Sequence, residues 1–317
     1  MKKMISICVM CYNEEENVVE MALAITEQMK KLQDKYEYEI IFADNASNDS
    51  TVIKLKHLAR NDKHIKVIIN NRNFGTRRSG INCMRHASGD AVISIPCDFQ
   101  DPPELIPEFI KEWENGHKVV CGQKTSSEEK RIKYLLRSFF YNIIDYFSEV
   151  KQYKHIAGIS LNDREIVDQV LEYGVDIAYR NLIAELGYEP KLIEYRQRKR
   201  RAGKSSYNVL KYLDFAISSL ITTSIVPIRV ATILGCILSF GSFLIGAVYL
   251  IYKLIYWKSF STGVAPMVIG MFFLGSVQIL FIGLIGEYIG ILLKRGTKLP
   301  LVVEKELINF EQEIRKE

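Results

Sequence analysis

Two stretches near the carboxyl end, Val230–Tyr252 and Val264–Gly286, each run 23 residues without an Asp, Glu, Lys or Arg. About 20 apolar residues in helical geometry span a hydrocarbon core, and helices in soluble cores are seldom so uniform. The pattern predicts two transmembrane helices, about 228–252 and 264–293, with a short loop holding Lys253, Trp257 and Lys258 between them. Such a hairpin has both ends on one side. Basic residues crowd its flanks, Arg196–Lys204 before it and Lys294, Arg295 and Lys298 after it, and outnumber the loop's two lysines. Cytoplasmic flanks carry that excess, so the chain is expected in the cell membrane, multi-pass, with both termini cytoplasmic. Arg229 and Glu287 would share a depth at this boundary and are expected to pair. In residues 207–227 the spacing of Leu210, Leu213, Ile217 and Leu220 suggests an amphipathic interfacial helix, which Pro227 ends. Two helices are too few for a solitary pore, so the hairpin reads as an anchor.

The remainder, residues 1–206, is mixed and charged and alternates between strand and helix periods. Ile5–Met10, Tyr38–Phe42 and Ile65–Ile69 read as strands with helical patterns between them. Ile93–Ile95 is a fourth apolar run, followed by a helix over Pro103–Glu114 and a strand over Val119–Gly122. This alternation calls for an α/β fold with a doubly wound, mostly parallel sheet. Ser126–Glu149 reads as an amphipathic helix, facing either the core or a membrane. The tail, 294–317, is mixed in charge and is expected on the cytoplasmic side, returning to the first domain. Met1-Lys2-Lys3 before one short strand is no signal peptide.

Cys8 and Cys11 make a lone C-x-x-C inside an apolar strand, where a buried thiol is the simpler reading than a metal ligand. The net charge of +5 is modest, and no aromatic-studded basic motif of a nucleic-acid reader occurs, so no nucleic-acid partner is expected.

Chemistry gathers where the fourth apolar run ends. Ile93-Ser94-Ile95-Pro96-Cys97 empties into Asp98, Gln100 and Asp101, and ligands of open α/β sheets bind at the carboxyl ends of strands. A carboxylate and an amide oxygen there suit a hard divalent cation holding a diphosphate. Asp101-Pro102-Pro103-Glu104 also makes a good helix start, with Asp101 as N-cap. That reading leaves Asp98 and Gln100 unexplained. The first two strands likewise end in acids: Glu14 within Tyr12-Asn13-Glu14-Glu15, and Asp44 ahead of Asn45-Ala46-Ser47-Asn48-Asp49. The third is followed by Asn71-Arg72-Asn73-Phe74-Gly75 and the basic Thr76-Arg77-Arg78-Ser79-Gly80.

Asp98-Phe99-Gln100-Asp101-Pro102-Pro103-Glu104 resembles the metal-binding strand end of glycosyltransferase family 2, whose polyprenyl-phosphate branch carries Asp-x-Asp-Leu-Gln-Asp-Pro-Pro-Glu. Pro96 stands where the first aspartate would be. Four motifs in order, a basic motif and two apolar helices extend the likeness over nearly the whole chain. It points to bactoprenol glucosyltransferases and, more distantly, dolichol-phosphate mannosyltransferase. The resemblance implies a GT-A-type, Rossmann-like fold and Mg²⁺ or Mn²⁺ at Asp98 and Gln100. It places Tyr12 and Glu14 beside base and ribose, Asp44 on uracil or guanine, and Asn73 and Gly75 near the diphosphate. Asn45 and Ala46 depart from the family's Asp-Gly after Asp44. The family pattern Arg-x-x-Gly-x-Ser-Lys-Tyr is met by Arg200, Gly203, Ser205 and Tyr207, with Ser206 for the lysine and Lys204 two positions earlier. These residues would hold an acceptor phosphate, with Asp98, Arg200 and Ser205 carrying the catalysis.

The implied reaction moves a hexose with inversion from a nucleotide sugar, UDP favoured, to polyprenyl phosphate. Where the family often supplies an aspartate as base, Gly158 stands, with Asp163 the nearest acid. A phosphate acceptor is largely ionised at neutral pH and needs orienting more than deprotonating. Relatives suggest a tetramer. Two other readings are a transferase with a polysaccharide or other lipid acceptor, and a degenerate, non-catalytic sugar-nucleotide-binding subunit.

Overall fold

The computed structural model describes residues 2–126, 156–173, 183–198, 226–255, 264–296 and 300–310. Its centre is four parallel strands: β1 (Lys3–Cys11), β2 (Tyr36–Asp44), β3 (Ile65–Asn70) and β4 (Ala91–Pro96). Each is apolar over most of its length because both of its faces are covered. In β1, Ile5, Ile7, Val9 and Cys11 enter one core, while Cys8 enters the core on the opposite face. Helices α1 (Val18–Lys30), α2 (Thr51–Asn61) and α4 (Ile106–Glu114) supply the first core, through residues such as Met21, Leu55 and Phe109. Helices α3 (Thr76–His86) and α5 (Arg164–Tyr173) supply the second, through Cys83, Met84, Ile166 and Val170.

The sheet is mixed. Strands β5 (Val119–Ser126), β6 (Ile156–Asp163), β7 (Lys191–Arg196) and β8 (Glu304–Ile308) extend it to the order β7-β5-β6-β4-β1-β2-β3-β8. Strand β6 runs antiparallel to both β4 and β5, and β8 antiparallel to β3. The chain winds from β1 through β2 to β3, then crosses to the far side of β1 to lay down β4. That reversal opens a crevice at the carboxyl ends of β1 and β4, the topological switch point where such sheets take ligands.

The expected helix over Pro103–Glu114 begins instead as a 3₁₀ turn, Pro103–Leu105, with α4 proper from Ile106. The N-cap of that turn is Pro102 rather than Asp101; the Asp101 carboxylate faces inward, as described below. The tail rejoins the sheet as β8. Glu304 accepts from Asn82 at 2.7 Å and lies 2.6 Å from His86 Nε2, and Asn309 donates to the Ala59 and Ile65 carbonyls.

A second compact unit holds α6 (Val226–Ile255) and α7 (Val264–Gly296). Both carry exposed large apolar side chains, among them Ile237, Phe240 and Ile245 on α6 and Met271, Ile279 and Ile282 on α7. Among the described residues one window, Phe273–Gly290, is long and apolar enough to cross a membrane by length and composition, with none of it buried. The expected helices over 126–149 and 207–227 fall outside the described residues, except for the ends of these ranges, as do the side chains of Arg229 and Glu287.

Candidate active site

Strand register brings the loops to one level: Cys11 stands beside Asp44, Asp44 beside Ile69, and Met10 beside Pro96. The loops after β1 and β2 are then stitched together. The Asn13 amide donates to Ser47 Oγ at 2.8 Å, the Asn48 amide to Asn13 Oδ1 at 2.9 Å, and the Glu14 amide to Thr51 Oγ1 at 2.9 Å. Glu14 is buried, and its carboxylate accepts from Asn17 Nδ2 at 2.6 Å. Tyr12 is half-buried at the mouth of this cluster.

Asp44 is fully buried and accepts the Ser47 amide at 3.0 Å and the Ser47 hydroxyl. Burial pushes its carboxyl above the usual range, against the pull of those two bonds and the Ala46 amide. Asn45, absent from the sequence-based site, builds the next loop. Its Oδ1 accepts the Phe74 amide at 2.9 Å and Asn70 Nδ2 at 3.2 Å, and its Nδ2 donates to Asn73 Oδ1 at 3.0 Å. Asn73 Oδ1 also takes the Gly75 amide at 2.9 Å. Gly75 has φ +84, a conformation that a side chain would strain, and α3 begins directly after it. Asn73 and Gly75 therefore lie exposed at a helix N-terminus, a favourable place for phosphate oxygens.

Asp98 and Gln100 follow β4 across the crevice. Between them Phe99 has φ +58 and buries its ring in the core. A bulky residue held in that region costs on the order of 1–3 kcal/mol. It anchors a tight turn in which the Gln100 amide donates to Asp98 Oδ1 at 3.1 Å. Both flanking side chains are left half-buried. Gln197 Nε2 donates to Gln100 Oε1 at 3.3 Å.

Asp101 is 2% exposed and accepts a hydrogen bond from Tyr195 Oη. Burial raises its carboxyl pKa; the Tyr195 bond and the Lys124 charge oppose that shift. A Cβ added to Gly158 would lie 2.5 Å from Asp101 Oδ2 and 2.7 Å from Pro96 Cγ. The two departures from the family pattern, Pro96 and Gly158, thus meet in space, and a side chain at 158 would require Asp101 or Pro96 to shift. Asp163 is no substitute. It pairs in register with Ala91, at the opposite end of β4 from Asp98, and accepts from Trp113 Nε1 at 2.8 Å. Arg200, Gly203, Lys204, Ser205 and Tyr207 lie outside the described residues.

No group of three His, Cys, Asp or Glu side chains among the described residues makes a closed metal cage. The oxygens of Asp98 and Gln100 fit the other arrangement. Mg²⁺ and Mn²⁺ with a nucleotide substrate take one or two protein oxygens and complete their shell with phosphate and water.

The sequence pattern described as Glycosyl transferase family 2 matches residues 6–170. The chain belongs to that family. It is 31% identical over 97% of its length to an uncharacterised glycosyltransferase of Synechocystis, covering 96% of that protein. It is 32% identical to the bactoprenol glucosyl transferase of Shigella phage SfV, over 90% of this chain and 93% of the relative. Glucosyl-3-phosphoglycerate synthase of Mycobacterium tuberculosis, solved with uridine diphosphate, overlays 70% of this chain and 79% of its own at 17% identity and a TM-score of 0.48. That last likeness is too slight to carry chemistry. As a family 2 member the chain is a glycosyltransferase, and the crevice between β1 and β4 is its candidate active site.

Proposed function

We propose that this glycosyltransferase is anchored in the cell membrane and moves a hexose, with inversion, from a nucleotide sugar (UDP favoured) to polyprenyl phosphate. The observation that supports the reading is that Asp44, the Asn73–Gly75 loop, Asp98 and Gln100 all stand at the carboxyl ends of neighbouring parallel strands. Asp44 would take the base, Asn73 and Gly75 the diphosphate, and Asp98 and Gln100 a divalent cation. When bound, that cation supplies positive charge for the departing nucleoside diphosphate. The similarity to bactoprenol glucosyl transferases supports a polyprenyl-phosphate acceptor.

An acceptor phosphate oxygen attacks the anomeric carbon from the face opposite the nucleotide. A carbon–oxygen bond forms there, the bond to the nucleoside diphosphate breaks, and its electrons leave on the β-phosphate oxygen. The phosphate arrives ionised, so the lack of a carboxylate at position 158 costs the reaction little. Arg200, Ser205, Lys204, Gly203 and Tyr207 would orient the acceptor. The domains run 1–206, 207–227, 228–293 and 294–317, and the enzyme works as a homo-oligomer with both termini cytoplasmic.

Chain connectivity supports two membrane crossings over one. Strand β7 precedes α6 and β8 follows α7, yet both strands belong to one sheet. An odd number of crossings would separate them. The apolar side chains exposed along both helices suit a lipid surface.

The test is transfer from radiolabelled UDP- and GDP-hexoses to undecaprenyl phosphate by the purified full chain, with Mg²⁺ or Mn²⁺. A lipid-linked sugar lost on chelation and in Asp98→Ala is the expected result. Sugar hydrolysis without lipid product would assign another acceptor. Nucleotide binding without turnover would favour a non-catalytic subunit, the reading that Pro96 and Gly158 invite.

A further inference from the structure

The proposed cation contact at Gln100 uses a side-chain amide, and an amide has two unlike ends. Only its carbonyl oxygen binds a cation; the NH₂ end repels one. A half-buried glutamine left to itself turns either end toward a ligand, and something must choose. Within the loop the Gln100 backbone amide donates to Asp98 Oδ1, a bond that does not engage the Gln100 side chain.

The end of β7 supplies the choice. Tyr195 is held twice. Its ring lies against Gly122, where an added Cβ would approach Tyr195 Cε1 to 2.7 Å, and its hydroxyl bonds to the buried Asp101. Gln197 lies just past the end of β7 and donates Nε2 to Gln100 Oε1 at 3.3 Å. One residue on, the Arg198 amide donates to the Gln100 carbonyl at 3.1 Å, fixing the backbone as well. The Arg198–Glu104 ion pair closes the strip, but both side chains are about half exposed, so it contributes little.

Resting on the reading of Asp98 and Gln100 as cation contacts, we infer that Gln197 is a positioning residue for Gln100. It holds the Gln100 side chain in place by donating to its carbonyl oxygen, which keeps a second lone pair for the cation. The donor sits just past β7, 97 residues further along the chain, so the cation contact depends on β7 being docked. Partners that orient a metal ligand typically contribute 10- to 100-fold in metal affinity.

The test uses the full chain and needs no acceptor. UDP affinity is measured in chelator and across a Mn²⁺ titration for wild type, Gln197→Met and Gln197→Asn. Methionine keeps the length and removes the donor. Asparagine keeps the polarity and shortens the reach, and it stands in if the first variant folds poorly. Both are expected to weaken apparent Mn²⁺ affinity at least tenfold, with the UDP Kd in chelator within twofold of wild type. In a Gln100→Ala background the Gln197 substitutions are expected to add less than twofold, because Gln197 acts through Gln100. Unchanged Mn²⁺ affinity in both variants overturns the inference and leaves the cation reading standing. An equal loss of UDP affinity in chelator also overturns it, since that marks a general structural role. A wild-type protein whose UDP binding ignores Mn²⁺ overturns the cation reading, and the inference falls with it.

Discussion

The two ends of the sheet treat charge and backbone in opposite ways. At the amino ends of the strands Glu39 is 3% exposed, yet its charge is met, with hydrogen bonds to Oε1 and an ion pair at Oε2. Ser6 Oγ donates at 2.5 Å, the Ser88 amide and hydroxyl at 2.7 and 2.9 Å, and Lys66 Nζ stands 2.6 Å away. Arg164 donates to the Ala87 and Gly89 carbonyls beside it. At the carboxyl ends the backbone itself is under load. Three of the four non-glycine residues with positive φ among the described residues, Asn13, Ala46 and Phe99, lie in the loops of the crevice, and the fourth, Asn309, follows β8. Asparagine takes that conformation readily. For Ala46 and Phe99 it costs on the order of 1–3 kcal/mol, and such strain gathers where function needs an unusual loop. The lesson is a division of labour. The amino end stabilises a sheet that holds strained, ligand-facing loops at the other end.

Substitutions at the two ends should therefore separate activity from stability. The largest effect is expected for Asp98→Ala, a loss of about 10³-fold in transfer rate, or about 4 kcal/mol of barrier. Its melting temperature should stay near wild type. Glu39→Gln should do the reverse, lowering unfolding free energy by about 3 kcal/mol, because Lys66 loses its partner, while leaving the transfer rate unchanged. Burial alone would raise the Glu39 carboxyl, but Lys66, Ser6 and Ser88 outweigh it and hold the group below its ordinary value. A depressed carboxylate contributes stability above its unfolded pKa, about 4.3, and loses it as pH falls through the folded value. Wild type and Glu39→Gln should thus converge in urea unfolding as the pH drops well below about 4. Equal separation at pH 7 and at low pH would break the comparison.

Gly158→Ala sharpens it next. A Cβ there collides with Asp101 Oδ2 and Pro96, both parts of the packed floor rather than flexible tips. Destabilisation of about 2 kcal/mol is expected, with no gain in transfer from Gly158→Asp. A faster Gly158→Asp enzyme would mean that the floor opens and that the family base can be restored.

Much of this was legible in the sequence, for identifiable reasons. Strands β1 to β4 stand out because burial on both faces makes them continuous apolar runs, and the acids that follow them mark the crevice. Strand β6 does not stand out as a strand in the sequence, because Ser160 and Asn162 interrupt its apolar residues and are themselves buried. Its antiparallel course defeated the placement of Asp163. Five residues along a strand carry that acid about 17 Å from Gly158, toward the wrong end. Asp101 has the sequence of an N-cap, but its partner is Tyr195, 94 residues later, and no local pattern reports such a contact. Asn45 looked like a mere departure from a family pattern, whereas its amide holds the Asn73 loop through both ends.

The smallest expected effect tests the strain directly. Ala46 occupies a position where the family pattern has glycine, and its φ is +61. A Cβ in that conformation crowds the following carbonyl and costs roughly 1–2 kcal/mol. Ala46→Gly relieves the crowding but gives the unfolded chain more freedom to lose, which takes back part of the gain. A net stabilisation of about 0.5–1 kcal/mol is expected in urea unfolding. The Ser47 bonds to Asp44 keep the loop's shape, so UDP affinity should stay within about twofold. The paired control is Gly116→Ala, at the turn between α4 and β5, where φ is +96 and no atom lies within 4 Å of the added Cβ. Away from the crevice it should lose a similar amount and leave UDP binding untouched. Should Ala46→Gly destabilise instead, the strain assigned to the carboxyl end would not be real at this position, and the contrast between the two ends would rest on charge alone.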